Sequence, residues 1–292
     1  MRSSRVVRPS SFGAGGLGDA FGSSVLVLSP HPDDEVVGFA CALSRLSARG
    51  GRAAILHLTE GIPSASELFP WDRRRRSERV ARRRDEALAS ARFLGASVAG
   101  FLPIPSRRLK DRADEAMTAI SSAIAEFDVD AVWVPCWEGG HQDHDAAALL
   151  ASLLPGRLSA MGVGVPEFFE APLYGFAGGS VRCQEFPPRA FPVSGMEWSL
   201  SLSEKERSFK RALLSVYASE RGNLGYVGTE REGLRSVGGT DFSRPPHEGT
   251  PFWRRFGWVP FPHPRIDSTS QEDVLSALAR FGERERSSWR SS

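Results

Sequence analysis

The first part of the chain alternates short apolar runs with amphipathic segments. A continuous apolar run begins at Ser23 (SSVLVLSP), which is typical of a strand buried on both faces of a sheet. Apolar residues at helical spacing follow it, and the pair Gly50-Gly51 marks the predicted end of that helix. The same reasoning predicts a second strand over residues 52–59 and a second helix over residues 74–94.

The alternation continues with a strand over residues 97–102, a helix through Met117, Ile120 and Ile124, and a strand over residues 129–134. Strands that alternate with helices form βαβ units, which build a parallel sheet covered by helices on both faces. We therefore expect an α/β fold, Rossmann-like, with three α/β/α layers and a mostly parallel sheet. A nucleotide-binding turn is excluded because the glycine-rich residues 13–16 precede the first strand.

The second half of the chain is less regular. Strands are predicted over residues 167–174 and 180–185, and helices over residues 203–217 and 270–283. Residues 222–264, rich in Gly, Pro and aromatic side chains, predict long ordered loops. We expect a disordered leader over residues 1–23 and a single domain over residues 24–292. Within that domain, residues 24–155 form the βαβ core and residues 156–292 an irregular C-terminal extension.

Composition and charge exclude several classes of protein. The 292 residues are 41% hydrophobic and 25% charged with a net charge of +2, a globular balance that predicts no nucleic-acid partner. No apolar run approaches the roughly 20 residues of a membrane span, and no secretory h-region follows the first arginines. The three cysteines show no CxxC spacing, which predicts a reducing, cytoplasmic location and leaves the oligomeric state open.

Two polar loops follow apolar strands and carry the candidate chemistry. Residues 29–35 (SPHPDDE) follow the first strand, and residues 139–144 (GGHQDH) follow the strand that ends at Val134. In an open α/β sheet, ligands bind outside the carboxyl ends of the strands, where both loops would lie. We therefore expect the two loops to share one crevice.

The side chains in these loops suit a catalytic metal. His31, Asp34 and His144 supply the two imidazoles and one carboxylate that a catalytic zinc takes, with a further position kept for water. A zinc-bound water has a pKa of about 7, which makes it a nucleophile at neutral pH. The same three ligand types describe a non-haem iron site, so we expect Zn²⁺ with Fe²⁺ as the alternative.

Three further residues of the loops have candidate catalytic roles. Asp33, adjacent to a ligand, is the predicted general base, and His141 would stabilise an oxyanion as a cation or protonate a leaving amine. Asp143 is predicted to orient one of the imidazoles. A purely structural explanation would make Asp33 a helix cap and the histidines ordinary loop residues. Three of the six histidines, each with an aspartate nearby after a buried strand, favour the metal site instead.

Together the two motifs, HPDDE and HxDH, resemble those of the PIG-L / LmbE-like family of zinc-dependent de-N-acetylases. That family includes N-acetylglucosaminyl-phosphatidylinositol deacetylase and the mycothiol and bacillithiol deacetylases. The resemblance is clear from about residue 24 to residue 148 and implies an LmbE-like fold. It also implies the following roles: metal ligands His31, Asp34 and His144, general base Asp33, oxyanion and leaving-group histidine His141, and supporting aspartate Asp143.

Other positions match the family less closely or depart from it. Arg83, in an R-x-x-E pattern with Glu86, resembles an arginine that the family uses in substrate binding. Gln142 stands where proline is usual, and Glu220 where glutamine is usual. Trp137, which could stack on a sugar ring, is a further candidate for substrate binding. Glu35, the last residue of the first motif, is assigned to substrate binding with them.

The residues by themselves predict metal-assisted hydrolysis of a small molecule. The resemblance specifies an amide, as in de-N-acetylation of an N-acetylglucosamine-type sugar or glycoconjugate. One alternative is an amidase for a larger acyl group or a thiol conjugate, and another is a metal phosphoesterase, which normally needs two metals. Outside the enzymes, the fold could serve as a binding module without catalysis, or the arginines of residues 73–84 could form an interaction surface.

Overall fold

The structure of the protein, a computed structural model, describes residues 19–177, 180–256 and 266–289. The elements of the first half are β1 (Ser24–Ser29), α1 (Asp34–Ala48), β2 (Arg52–His57), α2 (Pro70–Arg73), α3 (Arg76–Leu94), β3 (Ser97–Phe101), α4 (Ala113–Glu126), β4 (Ala131–Pro135) and α5 (Gln142–Ala160). Those of the second half are β5 (Glu167–Ala171), β6 (Tyr174–Ala177), β7 (Ser180–Cys183), β8 (Glu197–Ser201), α6 (Glu204–Val216), β9 (Arg231–Ser236) and α7 (Gln271–Trp289).

Seven strands form the central sheet in the order β3-β2-β1-β4-β5-β9-β8. The first five are mutually parallel, whereas β9 and β8 continue the sheet as antiparallel strands. Strands β6 and β7 form a separate hairpin. The chain leaves β1 towards β2 and β3 and then returns to β4 on the other side of β1. This reversal opens a crevice beyond the carboxyl ends of β1 and β4, which is where α/β proteins bind ligands.

Helices cover both faces of the sheet. In β1, Leu26 and Leu28 face a core built with α4, α5 and α7, while Val25 and Val27 face a second core built with α1, α3 and α6. Successive side chains of a strand point to opposite faces, so a strand that is apolar throughout fills both cores at once. The predicted three-layer α/β/α fold with a mostly parallel sheet is confirmed.

Several elements differ from the sequence-based predictions. Strand β8 was not predicted, and the predicted strand over residues 167–174 is divided between β5 and β6. Helix α5 was not predicted, because its first ten residues are all buried and its apolar positions do not form a single stripe. The prediction of loops throughout residues 222–264 is wrong, since β9 lies between β5 and β8 in the sheet. Its sequence, REGLRS, hid the strand because the charged side chains of Glu232 and Arg235 are buried in ion pairs.

The predicted leader lies largely outside the described residues. Within its last five residues, the structure places a 3₁₀ turn at Asp19–Phe21, and the ring of Phe21 is buried against Phe169 and Trp198. The division into a leader and one domain stays a prediction. In the described ranges, no helix is both long enough and apolar enough to cross a membrane.

Candidate metal centre and catalytic cavity

The three predicted metal ligands converge at the crevice. His31 lies in the turn after β1, Asp34 begins α1, and His144 lies in the first turn of α5. Their ligand atoms all lie within 4.8 Å of one another. The second motif is therefore not entirely a loop, because α5 begins at Gln142 and carries His144 on a rigid element. All three side chains are buried, so an ion held there would be shielded from bulk water.

Hydrogen bonds fix two of the three side chains and leave the third without a partner. His31 contacts Asp34 Oδ2 through Nδ1 at 3.1 Å and Asp143 Oδ2 through Nε2 at 3.0 Å. His144 is fully buried, and its Nε2 lies 3.2 Å from Asp34 Oδ1 without hydrogen-bond geometry. Neither ring nitrogen of His144 has a hydrogen-bond partner in the part of the chain that the structure describes. Buried nitrogens are normally satisfied, so this orphan fits a metal ligand.

The electrostatics of the cluster favour a positive charge. Burial by itself would lower the pKa of His31, but the carboxylates of Asp34 and Asp143 raise that pKa to about 10. Burial would likewise raise the pKa of Asp34, but His144 and His31 hold it well below its usual range. A position that stabilises a protonated imidazole against burial also attracts a cation. The donor set and its charge therefore fit a divalent metal.

Asp33 has a strained backbone and a carboxylate held by an arginine. Its φ of 136° is unusual for any residue with a side chain, and such strain costs about 1–3 kcal/mol. The Asp33 N–H donates to Glu35 Oε2 at 3.0 Å, and its Oδ2 accepts from Arg83 at 3.1 Å. Asp33 makes no side-chain capping bond to α1, so the geometry does not support the helix-cap explanation.

Burial raises the pKa of Asp33 well above its usual range, and Arg83 partly opposes this shift. A carboxylate whose pKa is raised holds a proton more firmly than an ordinary aspartate, which suits a group that accepts a proton and later returns it. Asp33 and Asp34 are adjacent in sequence, yet one carboxylate contacts Arg83 and the other contacts the two histidines. The strained turn therefore separates the candidate base from the candidate ligand.

Arg83 is buried and contacts several groups of this cavity wall. Its guanidinium contacts Asp33, the Pro32 carbonyl at 2.5 Å and Glu220 Oε1 at 2.5 Å. Gly61 makes room for it, because a Cβ at this position would lie 2.7 Å from Arg83 Nε. Glu220 was not predicted as a site residue. The only signal for it in the sequence was its departure from the family's glutamine.

His141 and Asp143 form the start of α5. His141 is the N-cap, and its Nδ1 accepts from the Asp143 backbone N–H at 3.1 Å, which leaves Nε2 as a donor in the neutral ring. Burial and the nearby His31 lower the pKa of His141 well below its usual range. The geometry thus favours a neutral donor rather than the predicted cation. The Asp143 carboxylate bonds to His31 and accepts from the Arg107 N–H at 2.6 Å, so it orients a ligand imidazole.

Two of the predicted substrate-binding residues do not line the cavity. The Glu35 carboxylate is fully buried and accepts from Ser90 Oγ at 2.9 Å, the Tyr217 hydroxyl and the Asp33 N–H. It therefore supports the strained Asp33 turn from behind. Trp137 is only 5% exposed and packs edge-on against Phe242 in the core, so stacking on a sugar ring finds no support in the structure.

The cluster opens into a cavity of about 620 Å³. His31, Asp33, Asp34, Arg83 and His141 line it, together with residues of the C-terminal extension. Aromatic side chains form much of its wall: Phe69, Trp71, Tyr174, Tyr226, Phe252 and Trp253. These aromatic residues come from distant segments without a shared motif, so no local pattern in the sequence pointed to a common aromatic wall.

Gln142, the residue that departs from the family's proline, connects the site to the C-terminal extension. Its side-chain amide donates to the Asp267 carboxylate and to Thr269 Oγ at 3.1 Å. Asp267 itself lines the cavity and lies 4.0 Å from the Arg107 guanidinium. Proline could make none of these bonds, so the substitution allows this chain to anchor a segment that completes the cavity wall.

Comparisons with known proteins agree with this site. Residues 26–153 match the family described as PIG-L, GlcNAc-PI de-N-acetylase, so the resemblance predicted from the two motifs is confirmed over that segment. Most of β1, all of β2 to β4 and most of α5 lie inside it. The match includes both loops and all the predicted metal ligands.

Solved structures share the fold at low sequence identity. The A40926 pseudoaglycone deacetylase Dbv21 is 20% identical, with a TM-score of 0.56 over 75% of this chain and 98% of that chain. The zinc-inhibited form of teicoplanin deacetylase Orf2 is 19% identical, with a TM-score of 0.54 over 74% and 98%. The N,N'-diacetylchitobiose deacetylase of Pyrococcus horikoshii is 19% identical, with a TM-score of 0.55 over 76% and 87%.

Proposed function

On the basis of the match of residues 26–153 to the PIG-L family, we propose that this protein is a metal-dependent amide hydrolase that removes an N-acetyl group from an N-acetylglucosamine-type sugar or glycoconjugate. One observation carries the proposal. His31 and Asp34 of the buried His-Asp-His cluster line the same cavity as the adjacent Asp33, a carboxylate of raised pKa. This combination is what hydrolysis by an activated water requires.

His31, Asp34 and His144 would hold the metal, with zinc expected and ferrous iron the alternative. When bound, such a metal acts as a Lewis acid towards the acyl oxygen and lowers the pKa of a water molecule. The Asp143 carboxylate keeps the His31 ring oriented through a hydrogen bond with His31 Nε2. Such a bond to a ligand imidazole typically raises the affinity of the site for its metal.

Asp33 accepts the proton of the attacking water, whose oxygen forms the new bond to the acyl carbon. His141 donates from Nε2 to the oxygen on which negative charge develops. The C–N bond then breaks as Asp33 returns its proton to the leaving nitrogen, which gives acetate and a free amine. Arg83 and Glu35 hold Asp33 in place during these steps.

The choice of substrate rests on the comparisons and on the size of the cavity. The matching family is described as acting on GlcNAc-PI, and the similar structures are deacetylases of a glycopeptide pseudoaglycone, teicoplanin and diacetylchitobiose. A volume of about 620 Å³ is in the usual range for small-molecule sites and exceeds the needs of an acetyl group alone. It therefore also suits the second candidate function, an amidase for a larger acyl group.

The proposal includes a cytoplasmic location and a small-molecule partner. All three cysteines are free, and Cys41 and Cys136 are buried, which suits a reducing compartment. A nucleic-acid partner is not part of the proposal.

The test is acetate release from a panel of N-acetylglucosamine glycosides by zinc-loaded protein and its Asp33→Asn variant. Asp72→Asn is the matched control, since Asp72 lines the same cavity without contacting the cluster. We expect Asp33→Asn to lower kcat by about 10²–10⁴-fold and the control to retain most of it. Equal metal content must be verified for all three proteins.

Three outcomes would contradict the proposal. A fully active Asp33→Asn variant would remove Asp33 as the base. Release of longer acyl groups, with no acetate from any glycoside, would assign the amidase function instead. Absence of any turnover by protein that holds one equivalent of metal would favour a non-catalytic binding module.

A further inference from the structure

Among the described residues, four arginines line the cavity, and they differ in whether a carboxylate lies near the guanidinium. Arg83 contacts two carboxylates, and Arg107 lies near the carboxylate of Asp267. For Arg79 and Arg255, no carboxylate of the described residues lies within 4.0 Å. An arginine at the wall of a cavity without a counter-charge is available to an anionic ligand, which its planar fork of donors binds well.

Aromatic rings line the same cavity as Arg79 and Arg255. Phe69 stacks on Trp71 with centroids 4.8 Å apart, and Trp71 is 68% exposed although it lines the cavity. The Arg255 guanidinium lies over the rings of Phe252 at 3.7 Å and Phe256 at 4.8 Å. Such rings bind the faces of sugar or aromatic rings, and they hold a guanidinium in a fixed orientation.

The charges of the lining residues support the same conclusion. Among the described residues that line the cavity, Arg79 and Arg255 have no carboxylate within 4.0 Å, and Asp72 is a carboxylate that has no basic side chain within 4.0 Å. Unpaired positive charge therefore exceeds unpaired negative charge in this lining. Such an excess raises the local concentration of anionic ligands.

We infer that Arg79, Arg255 and the Phe69–Trp71 pair form a subsite for the group attached to the amino sugar, and that this group carries a ring and a negative charge. The inference rests on the proposed function, because it places the amino sugar at the metal cluster. It assigns specificity for the leaving portion of the substrate to residues outside both motifs. Arg255 comes from a segment that lies beyond the family match.

The test measures binding of reaction products, which the enzyme does not turn over. The probes are 4-carboxyphenyl β-D-glucosaminide and 4-carbamoylphenyl β-D-glucosaminide, which have nearly the same shape but differ by one negative charge. Their Kd values are measured by calorimetry on the zinc-loaded protein. We expect the carboxylate to bind about tenfold more tightly at low salt, and the difference to shrink as salt screens the charges.

Variants identify the residues that cause the preference for the carboxylate probe. The Arg79→Gln/Arg255→Gln double variant is expected to bind both probes equally, whereas Trp71→Ala weakens both by the same factor. Arg82→Gln is the matched control, because Arg82 lies on α3, its side chain is 65% exposed, and it does not line the cavity. It should keep the full preference for the carboxylate. Unchanged thermal midpoints would confirm that all the variants are folded.

Equal Kd values for the two probes in the wild type would overturn the inference, as would a preference that survives in the double variant. The proposed function fails separately. A protein that prefers the carboxylate but releases no acetate from any glycoside would retain the subsite and lose the deacetylase assignment. A protein that releases acetate but shows no preference for the carboxylate would retain the deacetylase assignment and lose the subsite.

Discussion

A fully buried ion pair joins the C-terminal extension to the helix that carries Asp34. Lys210 on α6 contacts Glu232 on β9 at 2.9 Å, and both side chains are 0% exposed. The Glu232 carboxylate also accepts from the backbone N–H groups of Cys41 and Ala42 in α1. Lys210 donates in addition to the Val37 carbonyl at 2.8 Å. Both charges are thus desolvated, and each is satisfied by the other and by the backbone of α1.

Removing either charge should be costly. Glu232→Gln leaves a buried ammonium without its counter-charge and one α1 N–H without an acceptor. Lys210→Met leaves a buried carboxylate. We expect each single variant to lose about 3–5 kcal/mol of unfolding free energy. This is a large share of the roughly 5–15 kcal/mol by which folded domains are stable.

The double variant Lys210→Met/Glu232→Gln distinguishes the interaction between the two charges from the packing of their side chains. The double variant has no buried charge at these two positions, so its loss should be smaller than the sum of the two single losses by at least about 2 kcal/mol. The exposed pair Arg211–Glu204, whose side chains are 50% and 74% exposed, is the matched control on the same helix. Arg211→Gln should change stability by no more than about 0.5 kcal/mol.

The assay is equilibrium unfolding in urea, followed by circular dichroism, with metal content held equal in all proteins. Losses below about 1 kcal/mol in both single variants would refute the reasoning. Additive losses in the double variant would also refute it, because they would mean that the two charges do not interact.

Three further predictions concern the site. Gly61→Ala places a Cβ against Arg83, at a position whose φ of 67° is unfavourable for alanine. The value of kcat/KM should therefore fall by about 10- to 100-fold in steady-state assays. Unchanged kinetics would show that Arg83 can move freely. Asp143→Asn removes the carboxylate that orients His31, and competition with a chelator should show metal affinity reduced by about 10- to 100-fold, a result that an unaltered affinity would contradict. Gln142→Ala leaves the buried carboxylate of the C-terminal segment without its amide donor, so urea unfolding should show a loss of about 1–3 kcal/mol, whereas wild-type stability would mean that the segment is held elsewhere.

The first half of the chain was largely predictable, and the reason lies in its local patterns. The strands β1 to β4 are short runs whose apolar side chains fill cores on both faces, and α1 and α4 show clear amphipathic spacing. Helix α5 escaped prediction because it is buried almost all round at its start. Strand β9 escaped because Glu232 and Arg235 are buried there, and only their ion pairs with Lys210 and Glu170 make that possible.

The sequence by itself determined which histidines and aspartates make up the site and at which edge of the sheet they would lie. Histidines and aspartates placed just after two strands of a parallel sheet meet at the carboxyl edge, because that is where the strand order reverses. The predicted ligands His31, Asp34 and His144 could thus be identified from their spacing and from the strands before them. Their convergence within 4.8 Å agrees with this reasoning.

Only the tertiary structure decided which residues surround these histidines and aspartates. Arg83 and Glu220 are 137 residues apart in sequence and meet through packing between α3 and the turn after α6. Gln142 contacts Asp267, and Glu35 turns away from the cavity to support Asp33. Contacts of this kind depend on the relative placement of whole elements, which is set by core packing summed over many residues. No local pattern encodes them, so the residues of the cavity wall became visible only in the fold.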